Sequence, residues 1–230
     1  MRVITLFFMI LSLFFGSSNG LAKSKKTIVR SVSKKEMLIL RKVDKKYQKE
    51  HGIHLNLNKT ITLAMLGSTK NSQGEIWLNK GKMRLEIHKP EASKIIADKE
   101  FLWIESAAPE GFKDVKTQVM KASLKSKQAK SQGLIQLLTQ GGVLKYFRVS
   151  GVQKDGDKII YFLQPDKQSV EFKRAQIVVD TKKVEILSLK YWDQMDNETN
   201  YEFTKSVFNK KLDEKVFSYT PPKDASVIVY

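Results

Sequence analysis

The chain has 230 residues, 41% hydrophobic and 10% aromatic, a composition that excludes intrinsic disorder and leaves room for one large domain or two small ones. It contains no cysteine, which removes disulfides and any cysteine-borne lipid anchor. Its 41 Lys and Arg against 24 Asp and Glu give a formal charge of +17, which points to anionic partners or, more plainly, to solvated lysines guarding strand edges.

Arg2 precedes residues 3 to 15, apolar but for Thr5 and Ser12, and Gly20-Leu21-Ala22 offers small residues where a signal peptidase reads. Thirteen residues fall short of the roughly 20 that span a bilayer. Residues 1–22 are therefore expected to be a cleaved secretory signal, and residues 23–230 a single soluble, exported domain. Losing Arg2 lowers the charge from +17 to +16. An exported protein seldom meets nucleic acid, so none is expected as a partner.

Ser33 followed by Glu36 fits a capping box, and Met37, Leu40, Val43 and Tyr47 then recur at helical spacing until Gly52, predicting an amphipathic helix over 34–50. Ile61, Leu63 and Met65 alternate with smaller or polar residues, and 71–74 reads as a turn. Met83, Leu85 and Ile87 alternate with Arg84, Glu86 and His88, a one-sided strand. Runs at 94–98 and 101–104, the latter centred on Trp103, continue an antiparallel meander with no long helix between strands.

The pattern breaks at 107–111, gives a possible strand at 115–122, and passes into a long polar insertion. Leu134, Ile135, Leu137 and Leu138 form an apolar cluster closed by Gly141-Gly142, and 143–146 reads as another helical turn; short amphipathic helices in a long loop predict a lid. Strands are expected at 146–152, 159–163, 169–180 (one bent strand), 184–192 and 199–208, with turns at 155–157, 181–183 and 193–197. Phe217, Tyr219 and Pro221-Pro222 lead to a short terminal strand at 227–229.

His51 and His54 have a metal-compatible spacing but lack a third ligand, and Asp193, Asp196, Asn197 and Glu198 lack the glycine and terminal glutamate of a calcium loop. Exposed histidines and a solvated hairpin turn are expected instead. No nucleophile motif, phosphate loop or spaced carboxylate pair is present, so neither an enzyme nor a cofactor or metal is expected.

Four motifs in order carry a resemblance. Gly74 leads into Gly81-Lys82-Met83-Arg84-Leu85-Glu86-Ile87 and Pro90; Asp98 precedes Leu102-Trp103-Ile104. Tyr161-Phe162-Leu163-Gln164-Pro165 and Phe217-Ser218-Tyr219-Thr220-Pro221-Pro222, followed by Val227-Ile228, complete the set. Together they resemble the outer-membrane lipoprotein carrier family, the LolA-like periplasmic chaperones.

The resemblance implies an incomplete, half-open antiparallel β-barrel of mainly β class with a helical lid. It further implies a monomeric periplasmic chaperone whose apolar cavity takes the acyl chains of a lipoprotein from an inner-membrane lipoprotein-releasing ABC transporter to an outer-membrane acceptor. The alternative is an envelope carrier or sensor of another lipid or an anionic polymer. The expected lining is Met37 and Leu40 from the helix, Met65, Met83, Leu85, Ile87 and Trp103 from the first strands, Leu134 and Leu138 from the lid, and Tyr201 and Phe203 from a late strand. Where the family carries an Arg-Pro pair that latches the lid, this chain has Asn79 and Lys80; Leu85 stands where the family has a tryptophan.

Overall fold

The computed structural model describes residues 29–49, 52–90, 92–107, 115–126, 129, 142–166 and 172–230. The expected signal and most of the expected lid, with Leu134 and Leu138, lie outside the described residues.

After helix α1 (Lys34–Lys49) come six strands: β1 (Ile53–Leu63), β2 (Ser68–Asn79), β3 (Lys82–Lys89), β4 (Ser93–Ala97), β5 (Phe101–Ser106) and β6 (Gln118–Ser123). A short helix α2 (Val143–Tyr146) leads into β7 (Phe147–Asp155), β8 (Lys158–Pro165), β9 (Phe172–Asp180), β10 (Glu185–Asp193) and β11 (Glu198–Val207). A 3₁₀ turn (Glu214–Phe217) and β12 (Ser226–Val229) close the chain.

The strands form one sheet in the order β12-β6-β5-β4-β3-β2-β1-β11-β10-β9-β8-β7. Two antiparallel meanders, β1 to β6 and β7 to β11, are joined where β11 returns beside β1. The outermost strands β12 and β7 do not meet, so the sheet is an open, half-closed barrel. The terminal strand departs from the antiparallel expectation, because β12 adds in parallel to β6.

Side-chain alternation sets the two faces. On β3, Met83, Leu85 and Ile87 are buried while Arg84 and Glu86 between them reach the other side. Lys80 and Gly81, both at positive φ, make the two-residue turn into β3 that matches strand twist. Between β1 and β2 the turn falls at 64–67 rather than 71–74. There Gly67 (φ 58) reverses the chain, and Thr60 bonds Asn71 at 2.9 Å while Thr62 meets Thr69 at 3.3 Å across the ladder. Met65 consequently sits on the turn, 81% exposed, instead of in a strand.

The capping box forms as spaced. Ser33 N–H and Oγ donate to Glu36 Oε2 at 2.9 and 2.7 Å, Glu36 N–H returns to Ser33 Oγ at 3.3 Å, and Arg30 clamps the same carboxylate. The Arg30 guanidinium, aided by Ser33, holds the Glu36 carboxyl down at about 2. A depressed carboxylate stabilises the fold fully above its ordinary value of 4.5 and loses that contribution as pH falls towards about 2. Glu36→Gln should therefore flatten the fall of stability between those two pH values, which thermal unfolding across an acid series would reveal.

Candidate functional site

α1 lies on the face of the sheet to which Met83, Leu85 and Ile87 point, and its Leu40 and Val43 share one buried cluster with them. Its attachment is to the second meander. Tyr161 Oη on β8 donates to the Glu36 carbonyl at 2.7 Å, Ile186 N–H on β10 donates to Tyr47 Oη at 3.1 Å, and Lys46 pairs with Glu185 at 3.0 Å. The Asp44 carboxylate accepts the Val143 and Leu144 N–H groups at 2.9 and 3.0 Å, satisfying the first amides of α2. Burial pushes that carboxyl up despite these bonds. Gly142, at φ 81, lets α2 come this close, since a Cβ there would lie 2.7 Å from Asp44 Cγ.

Strand register extends the inner face of the first meander in three rows. Met83 is level with Ala97, Leu102 and Ala122; Leu85 with Ile95, Ile104 and Met120; Ile87 with Ser93, Ser106 and Gln118. The first row is fully buried, the second becomes half-buried beyond Leu85, and the third turns polar. An apolar floor thus grades from closed core to open surface to polar rim. On the other side of β3 it continues through Leu78, Ile76 and Gly74 on β2 and Ile53, Leu55 and Leu57 on β1 to Phe203 on β11.

Of the expected lining, Leu40, Met83, Leu85, Ile87, Tyr201 and Phe203 come together in this cluster. Met37 is half-buried on α1 and outside the cluster, and Met65 is on its exposed turn. Trp103 faces the other way. It pairs with Ile96 and Lys121, and its ring lies 5.3 Å from that of Tyr219 in the C-terminal segment that crosses the outer face. Leu102 and Ile104 are the inward residues of β5. The run Phe-Leu-Trp-Ile is apolar on both faces, so its period does not say which residues turn inward. Ile95, Ile104 and Met120 escaped notice for the same reason; only their register with Leu85 places them.

The outer face is held by charge and aromatic contacts. Arg84 pairs with Glu86 and donates to the Val216 carbonyl at 3.0 Å, and Tyr219 Oη donates to Glu105 at 2.6 Å. Asn79, at the family's latch position, lies 3.5 Å from Glu214, which also holds Lys82. This corner is thereby tied to the 3₁₀ turn. His54 stacks on Trp77 at 5.0 Å with Nε2 3.4 Å from Glu75; His51 lies outside the described residues. Among the described residues no three His, Asp or Glu side chains gather as metal ligands. The acidic run at 193–198 is a hairpin turn: Asp193 accepts from Met195 and Asn197 N–H, while Asp196 pairs with Lys173 and Arg174.

The family model of the outer membrane lipoprotein carrier protein LolA matches residues 48–220. The chain belongs to the LolA family. An uncharacterised conserved protein of Thermus thermophilus shares the fold at 13% identity and a TM-score of 0.51, over 85% of this chain and 99% of that one. A LolA superfamily protein from Nitrosomonas europaea is similar at 12% identity and a TM-score of 0.44, over 80% of this chain and 97% of that one. No curated protein matches this chain. The family is described by its outer membrane lipoprotein carrier, and no helix among the described residues is long and apolar enough to cross a membrane.

Proposed function

We propose that this LolA-family chain is a periplasmic carrier that receives the acyl chains of a lipoprotein on its inner face. The chains come from an inner-membrane lipoprotein-releasing ABC transporter and pass to an outer-membrane acceptor, with the carrier acting as a monomer and without catalysis. The observation that carries this reading is the half-buried row Ile95, Ile104 and Met120, an apolar floor continuous with the core but open beyond Leu85.

The energetics define what such a carrier must do. Moving one acyl chain of about 15 methylenes through water costs roughly 12 kcal/mol at about 0.8 kcal/mol per buried CH₂, so apolar protein surface has to stand in for the bilayer. Inward-facing Met83 and Met120 suit varied chains, because an unbranched thioether re-packs readily. At the position of the family's latch arginine stands Asn79, 3.5 Å from Glu214, so in this reading release of cargo does not use an arginine at that position.

Depletion of the protein in its source cell tests the transport role. Lipoproteins are expected to accumulate at the inner membrane, and unchanged lipoprotein sorting would overturn the assignment.

A further inference from the structure

Lys59 is out of place by the pattern of its own strand. Along β1 the inward positions are Ile53, Leu55 and Leu57, and the same parity brings Lys59 and then Ile61 to the inner face. Register sets Lys59 between Ser72 on β2 and Tyr201 on β11, and its Nζ lies 5.7 Å from the centre of the buried Tyr201 ring. Four other partly buried lysines of the sheet and α1 each hold a carboxylate, Lys46 with Glu185, Lys82 with Glu214, Lys94 with Glu105 and Lys190 with Glu198, while Lys121 on the outer face lies over the Phe101 and Trp103 rings at 4.0 and 4.8 Å. Among the described residues Lys59 has neither a carboxylate nor a hydrogen-bond partner, and burial alone lowers its pKa. Tyr201 is its cross-strand neighbour, and on the next strand Tyr191 faces Thr199 and bonds both Thr199 and Tyr201. A desolvated ammonium costs free energy unless an anion joins it.

We propose that Lys59 binds the anionic head group, a carboxylate or a phosphate, of a lipid whose acyl chain lies along the apolar inner face. The inference rests on the acyl-chain reading of that face and adds an anionic lipid to the ligands that the face takes beside lipoprotein acyl chains. It also gives a role to one inward positive charge that solvated strand-edge lysines do not explain.

The test compares binding of palmitate, neutral monopalmitoylglycerol and inorganic phosphate to the full chain and to Lys59→Met. Palmitate is expected to bind the native protein about tenfold or more tightly than monopalmitoylglycerol, the range of a charged hydrogen bond. In Lys59→Met that preference should fall below about threefold, with monopalmitoylglycerol affinity little changed and thermal stability equal or higher, since an unpaired, partly buried charge is gone. Phosphate should not compete with palmitate. An undiminished preference in Lys59→Met, or equal binding of both amphiphiles to the native chain, would overturn the role of Lys59 while leaving the acyl-chain site standing. Competition by phosphate would make this a free-anion site and overturn the head-group assignment. Binding of neither amphiphile would overturn the acyl-chain reading itself.

Discussion

Gly52→Ala is expected to lower stability by about 3 kcal/mol or more, read as a fall in the urea midpoint. Gly52 links α1 to β1 at φ +69, and its carbonyl accepts the Lys210 N–H at 2.8 Å. That return contact brings the Lys210 carbonyl so near that a Cβ on residue 52 would sit 1.6 Å from it. Backbone has to move, and the left-handed conformation adds about 1 kcal/mol for any residue with a side chain. Gly67 is the internal control: it also has positive φ, +58, but nothing lies within 4 Å of its Cβ position. Gly67→Ala should therefore cost only about 1 kcal/mol. Equal losses in the two variants would contradict the locking of the start of β1 to the segment after β11.

Leu40→Ala should cost about 2–5 kcal/mol, the range for removing a fully buried leucine from a close-packed site. Leu40 has no exposed surface and, with Val43, joins α1 to the inner face in one cluster with Leu55, Leu85 and Phe203. The polar ties of α1 run to β8, β10 and α2, so the helix keeps its place at one end while the contact with the floor is lost. A denaturant midpoint lowered at unchanged slope is the expected signature. A loss under about 1 kcal/mol would mean that α1 lies loosely on the sheet and that its side chains can withdraw without penalty.

Local chemistry made part of this architecture legible. The Ser33–Glu36 spacing fixes the start of α1, and the alternation of Met83, Leu85 and Ile87 fixes the inward face of β3. Contacts between distant parts of the chain left no comparable trace. The pairing of β1 with β11 joins residues more than 130 positions apart, as His54 with Val207, and decides that Tyr201 and Phe203 share a face with β1. The start of β2, Ser68 to Gln73, has no apolar face, so 71–74 reads as a turn, yet the segment extends the β1 ladder. Trp103 is expected inward from a run apolar on both sides, which does not specify its face, and in the outward place it takes it meets Tyr219 of the C-terminal segment. Lys59 carried a usable signal, a lysine at an inward position of an alternating strand, and strand parity alone would have singled it out.

Carriage of acyl chains by one face of the open sheet is the central claim, and site-specific photo-crosslinking in the cell envelope tests it directly. A photoreactive aromatic residue replaces Ile104 on the inner face or Trp103, its neighbour on the outer face. Capture of acyl-bearing cargo from position 104 and none from position 103 is the predicted result. Equal capture from both positions, or capture from 103 alone, would contradict the inner face as the carrier's binding surface.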